Sequence, residues 1–449
     1  MYNLENISNQ KKQINEIIFE SINLVKKKVD EAFVCITKTY NTAIVVRYGK
    51  PEFIEFNDNV EYFISVYSNF KKGSASSTDL NMNSIKKTIF SAINILKYTS
   101  ADKFSGLSEF CPLTYKAYNL NLFHLSKLNL QENIKLAYFT EKYALNYDSK
   151  IINTEGGFLN ISNRIFAFGN TKGIFSSYKS SRYDLSTCVL AKDKNSIKIE
   201  RDYYYSISRK INNLESPKFI GETCSKRVLL RLNSKKISTQ KCPVILTSDA
   251  AGSIFYSLYK SILGMTVCNK STFLLNSLNK LIFPKWLSIF DNPHILKGIG
   301  SAPFDYEGVL TIPRFIIKNG ILKTWLLNSY SSKKLGLQNT GHSGGIYNWI
   351  FIQKNKILFK ELIKTMNTGL VVTDLMGDGV NIINGDYSRG ASGYFIRNSN
   401  FEHSVSEITI SGNLKNIFKN IVLMSNDYNL KENIQCGSIL ISNMVISGE

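Results

Sequence analysis

Proline, histidine and long hydrophobic runs are all scarce in this chain. Eight prolines and 27 glycines in 449 residues are too few for a collagen-like or low-complexity polypeptide. No stretch approaches the roughly 18 uninterrupted apolar residues of a membrane-spanning helix. The segment Met1 to Lys12 is polar and lacks the apolar core of a secretory signal, so a soluble, cytoplasmic protein is expected. The four histidines, at 124, 294, 342 and 403, are far apart, and no zinc-binding helix of the H-E-x-x-H kind can be built from them. C-x-x-C pairs are missing too. The seven cysteines (Cys35, Cys111, Cys188, Cys224, Cys242, Cys268, Cys436) are odd in number and scattered. That argues for free thiols in a reducing compartment, and against a disulfide framework or a Cys-only zinc site.

What is present is ordinary globular material, 43% hydrophobic and 20% charged, long enough at roughly 150 residues per domain for about three domains. The net charge of +20 raises nucleic acid or an anionic membrane as partner. The lysines, however, are spread along the chain with only short runs such as Lys26-Lys27-Lys28, and they accompany abundant Asn, Ile, Phe and Tyr. This bias fits AT-rich codon drift as well as selection for a polyanion.

Apolar residues at three- and four-residue spacing, Ile14, Ile17, Ile18, Leu24, Val25 and Val29, predict an opening helix over residues 8–30. Strands are expected at Ala32–Thr39, Ala43–Tyr48 and Tyr62–Phe70, a loop at Gly73–Asp79 and a helix at Asn81–Tyr98. A linker at Thr99–Gly106, a helix at Gln131–Tyr147, an antiparallel meander over Ile151–Ser208 and a helix at Pro217–Leu232 follow. Then come a buried strand at Cys242–Leu246, a helix at Ala250–Leu263 ended by Gly264, and a glycine-punctuated, strand-rich remainder. The expected class is α+β, an N-terminal α/β-mixed region with amphipathic helices followed by a β-rich C-terminal domain. The expected divisions are 1–100, 101–232 and 233–449.

Gly341-His342-Ser343-Gly344-Gly345 matches the G-x-S-x-G pattern of a nucleophile elbow, which needs a strand before it and a helix after it. Here the flanks reverse that order, with polar Ser331–Asn339 before and extended Ile346–Ile352 after, so a serine hydrolase is not supported. The run from Gly377 to Gly393 contains neither phosphate-loop nor dinucleotide spacing and reads as turns between strands. His342, Gly344 and Gly345 are candidate substrate-binding residues, because glycines at the start of a strand leave backbone groups open to an extended peptide. The competing reading of these glycines is a turn with positive φ.

Several longer segments carry a family resemblance. Lys72-Gly-Ser-Ala-Ser-Ser-Thr-Asp79, Asn153-Thr-Glu-Gly-Gly157, Lys270-Ser-Thr-Phe-Leu-Leu275, Thr340-Gly-His-Ser-Gly-Gly345, Thr368-Gly-Leu-Val-Val-Thr373, Asn384-Gly-Asp-Tyr-Ser-Arg-Gly-Ala-Ser-Gly393 and Asn433-Ile-Gln-Cys-Gly-Ser438 occur in that order. From about Glu55 onward the chain resembles the TldD/PmbA family, and within it the PmbA (TldE) branch. The resemblance implies a cytoplasmic metalloprotease working as a heterodimer with a TldD-like subunit on peptide or unfolded protein. Associated roles are trimming the leader of a modified peptide antibiotic and degrading an antitoxin, and an old label for the family is modulator of DNA gyrase. The family's zinc-bearing subunit carries His-Glu-x-x-x-His on a helix and a later Cys. Here the positions matching His, Glu and His are Phe255, Tyr256 and Lys260, while Cys436 stands where the Cys ligand is found. One thiolate cannot hold a catalytic zinc, which takes about three protein ligands. Zinc and general base are therefore expected from the partner, with Cys436 as the single metal-ligand candidate in this chain and a small buried residue as its alternative. Two rival readings remain: a non-catalytic scaffold subunit, and a basic nucleic-acid-binding protein.

Overall fold

A computed structural model describes residues 4–109, 118–194, 196–353 and 355–448. It opens with α1 (Leu4–Lys26), β1 (Glu31–Arg47), β2 (Lys50–Ser68), β3 (Lys71–Ser77) and α2 (Met82–Ile95). Next come α3 (Leu130–Leu145), β4 (Ile151–Asn170), β5 (Phe175–Lys192), β6 (Ile199–Ser208) and α4 (Pro217–Arg231). The strands form one antiparallel sheet in the order β3-β2-β1-β4-β5-β6, so β1 of the segment 1–100 pairs directly with β4 of the segment 101–232.

Side chains alternate across this sheet with the two-residue period of extended backbone. On one face Val34, Ile36, Ile64 and Val66 pack under α1 and α2, and Ile44, Val46, Leu159 and Leu185 pack under α3 and α4. The other face, carrying Phe33, Cys35, Phe166 and Phe168, meets Phe304 from the C-terminal half. All four long helices thus cover one side, and the opposite side is left for loops.

Two strand expectations are corrected. The segments 32–39 and 43–48 form a single strand, because Asn41 is paired on both sides, with Asn57 of β2 and Ser162 of β4. Most of the segment expected as a loop is instead the edge strand β3, against which α2 lies closely. A Cβ on Gly73 would stand 2.0 Å from the Ala92 carbonyl oxygen. The small residues of 73–77 serve this helix-on-strand approach.

The C-terminal half contains β7 (Gln240–Leu246), α5 (Ser248–Ser261), α6 (Gly264–Cys268), β8 (Ser288–Asp291), β9 (Arg314–Lys318), β10 (Ile321–Leu322) and α7 (Ser329–Leu335). It continues through β11 (Trp349–Ile352), α8 (Phe359–Met366), β12 (Gly369–Met376), β13 (Asp386–Arg397), β14 (Asn400–Asn413), α9 (Leu414–Lys419), β15 (Ile421–Met424), β16 (Ile434–Gln435) and β17 (Ile439–Ser447). β14, β13, β12, β7 and β17 pair in series, and β14 also pairs with β17, closing a ring. Only the β7–β12 contact in the ring is parallel. Val244, Leu246, Leu370, Val372 and Ile441 face one core together with Ile254, Phe255 and Leu258 of α5, while Ile245, Val371 and Leu440 face α8. A smaller sheet, β10-β9-β8-β11-β16, adjoins it.

The architecture is a mixed α and β one, as expected. Cys111 lies outside the described residues, and the other six cysteines are free.

Candidate functional site

α5 occupies the position where the resemblance would place zinc ligands. It follows β7 directly, and the Ser248 N–H at its start donates to Ser438 Oγ at 2.9 Å. Phe255 is fully buried, its ring 4.4 Å from that of Phe351 and 6.0 Å from that of Phe283. Tyr256 is half exposed, and Lys260 Nζ lies 4.9 Å over its ring and 3.9 Å from Asp378 Oδ2. None of the three can ligate as it stands: a phenyl ring has no donor atom, and an ammonium repels a dication.

Cys436 sits directly after β16, fully buried, with Sγ 3.8 Å from the Ser248 carbonyl. Burial, reinforced by the charge of Asp427, pushes its thiol well above the ordinary range, away from the thiolate a metal requires. No cluster of three or more His, Cys, Asp or Glu able to hold a metal occurs among the described residues. The residues of this chain do not fit a zinc ion.

The glycine loop 341–345 stands elsewhere, between α7 and β11. His342 is buried within it, Nε2 3.1 Å from Asp291 Oδ2 and Nδ1 2.9 Å from Thr340 Oγ1. Tyr347 donates its hydroxyl to the Gly341 carbonyl and its N–H to Asp291 Oδ2. The imidazole therefore pins the loop from behind. Gly344 and Gly345 both have positive φ, +119° and +117°, in a region that side-chain-bearing residues rarely adopt.

Ser343 and Gly344 form one wall of a cleft of about 290 Å³ whose floor is the helix-free face of the central sheet. The opposite registers Ser162 to Arg182 and Arg164 to Ser180 bring these four side chains onto that floor. Arg209, just beyond β6, closes one end. Asp305 is buried in the wall, where it accepts the N–H groups of Glu307, Val309 and Ser343. Burial, with the nearby charge of Glu307, raises its carboxyl well above the usual range.

Of the sequence-stated site residues, Gly344 lines this cleft and His342 supports its wall. Gly345 stands behind, where a Cβ would come 3.2 Å from the Tyr259 hydroxyl. Cys436 and Phe255 belong to the core around α5. The arginines 164, 182 and 209 and the buried Asp305 went unnoticed in the sequence. The available signal was the alternation Ser162-x-Arg164 and Ser180-x-Arg182-x-Asp184, which marks a polar strand face.

The chain matches three models of the PmbA/TldA metallopeptidase: domain 1 over residues 32–96, the central domain over 123–232 and the C-terminal domain over 239–448. It is 45% identical to metalloprotease PmbA of Escherichia coli O157:H7, over 99% of this chain and 98% of that protein. A metalloprotease TldD homologue of Buchnera aphidicola is 22% identical over 81% of this chain and 79% of its own length. A Bacteroides thetaiotaomicron crystal structure, described as a candidate modulator of DNA gyrase, superposes with a TM-score of 0.90 at 25% identity, covering both chains fully. Near-complete coverage at 45% identity, with all three domain models in order, leaves one assignment: this chain belongs to the PmbA/TldD metallopeptidase family.

Proposed function

We propose that this chain is the PmbA (TldE)-type subunit of a cytoplasmic, two-subunit metalloprotease, and that a TldD-like partner supplies the zinc and the general base. The observation that carries this reading is α5. Its candidate ligand positions hold a stacked core phenylalanine, a tyrosine and an ion-paired lysine, in a chain whose relatives are named metalloproteases. A zinc-dependent peptidase needs about three protein ligands and an open position for water. Those groups must then come from a second protein. This chain would contribute a mating surface and walls that hold an extended peptide, with the Gly341–Gly345 loop as one of them. A modified peptide's leader or an unfolded protein is the substrate class this reading implies.

The test is reconstitution. The purified chain and a TldD-like protein with an intact His-Glu-x-x-x-His are each assayed for bound zinc, then for peptide cleavage alone and together. The expected result is no stoichiometric zinc in this chain and cleavage only by the mixture. One zinc per chain that survives dialysis and is lost in Cys436→Ser, or full activity of the partner alone, would overturn the proposal.

A further inference from the structure

Three guanidinium groups converge on the cleft above the central sheet, and only one of them has a carboxylate partner. Arg182 is paired with Asp184, Nε to Oδ2 at 3.0 Å. Arg209 donates only to carbonyl oxygens, those of Ser181 at 3.1 Å, Gly298 at 3.3 Å and Ile299. Arg164 reaches no carboxylate: its Nη2 is 3.4 Å from the hydroxyls of Thr37 and Tyr306, and its buried Nε has no hydrogen-bond partner among the described residues. Asp305 does not neutralise this charge, since its oxygens are taken by backbone N–H groups. Burial first, and then the charges of Arg182 and Arg164, lower the Arg209 guanidinium to about 10. Three cations held this close on a folded surface are costly unless an anion completes the set.

The residue type is informative as well. The chain has ten arginines against forty-five lysines, so a compositional drift toward lysine has left arginine at few positions. Three of the ten line this one cleft. Arginine differs from lysine in presenting a planar fork of donors that matches a carboxylate bidentately. The Ser162 and Ser180 hydroxyls, on the same floor, add donors without charge. Gly344 in the facing wall leaves room for a backbone beside the anion, and Tyr306 packs 5.2 Å from Phe166 to give an apolar flank.

We infer that this cleft binds a carboxylate of a peptide, with Arg164 and Arg209 as the principal charges and Ser162 and Ser180 as supporting donors. The inference deepens the peptidase reading by assigning this chain a substrate contact of its own, and it rests on that reading for the choice of a peptide as ligand. The carboxylate has two sources, the α-carboxylate at the end of a chain or an Asp or Glu side chain.

Binding to the purified full chain, measured by fluorescence anisotropy without any cleavage step, separates this inference from the peptidase proposal. The probes are a labelled alanine-based peptide with a free C-terminus, the same peptide amidated, the amidated peptide with one internal Glu, and a labelled single-stranded oligonucleotide. At least one carboxylate-bearing peptide should bind roughly tenfold or more tighter than the uncharged amide, as one charge-assisted hydrogen bond requires. Which one does so identifies the source. Arg164→Gln should remove that preference while keeping the wild-type melting temperature, because Arg164, unlike Arg209, does not tether a loop. Equal binding of all three peptides, no detectable binding of any, an unchanged preference in a folded Arg164→Gln, or preferential binding of the oligonucleotide would each overturn the inference. A cleft that binds while the two-subunit mixture fails to cleave would leave the inference standing and sink the proposed function.

Discussion

Phe255 shows how a single position can carry opposite roles in one family. With its ring fully buried between Phe351 and Phe283, it contributes dispersion and area burial where the zinc-bearing pattern would have a ligand. Removing such a ring from a packed core costs about 3–5 kcal/mol. Phe255→Ala should therefore lower the denaturation midpoint clearly, with no change in metal content; a variant as stable as the wild type would mean that the core around α5 is loose. His342 teaches the same lesson from the other side. Its place in a glycine motif suggested a substrate contact, yet its ring faces Asp291 and Thr340, and only the neighbouring Ser343 and Gly344 reach the cleft. Which way a histidine points depends on a partner some fifty positions away, and no local pattern reports it.

Helices were legible because their signal is local. The opening helix, expected over 8–30, spans Leu4–Lys26, and the helix expected at Pro217–Leu232 spans Pro217–Arg231, with Ser216 capping Phe219 N–H as sequence rules favour. β3 was not legible, because Lys-Lys-Gly-Ser-Ala-Ser-Ser has loop propensity and becomes a strand only through pairing with β2 under α2. The cleft was hidden for a related reason: its lining comes from residues near 164, 182, 209, 305 and 344, which no spacing rule connects. At the scale of elements the testable consequence is steric. Gly73→Val would drive a side chain into the Ala92 carbonyl, displacing α2 at a cost of about 1–3 kcal/mol or more. Faster hydrogen exchange confined to β3 and α2 should report it; unchanged protection there would mean that the close approach is not needed.

Across the whole molecule, the central sheet and the strand ring are fastened by a compact set of ion pairs. Arg231 of α4 reaches Asp202 of β6 at 3.1 Å and, across the boundary, Asp374 of β12 at 2.8 Å, with Ser392 of β13 also at 2.8 Å. Arg227 joins Asp202 to Asp249 at the start of α5. Burial raises the Asp202 carboxyl, and the two arginines oppose that shift. Arg231→Ala would leave a buried carboxylate short of a partner, a loss of about 3–5 kcal/mol. Thermal unfolding should then split into two transitions, as the halves come apart before either melts; a single transition at the wild-type temperature would show that apolar packing alone joins them.

The ring of strands has a consequence for how this protein emerges from the ribosome. Val244 of β7 pairs with Leu370 on one side and Ile441 on the other, so the strand that leads into α5 cannot be satisfied by anything made near it in time. Translation at about 5–20 residues per second leaves β7 with both edges open for many seconds. The helix-backed sheet, by contrast, has all its strands by Ser208. An early-folding half thus waits, complete, beside a nascent half that carries apolar strands and open edges until β17 arrives. Synthesis order makes the C-terminal half the natural client of a chaperone, and the place where a stalled ribosome would leave an aggregation-prone fragment.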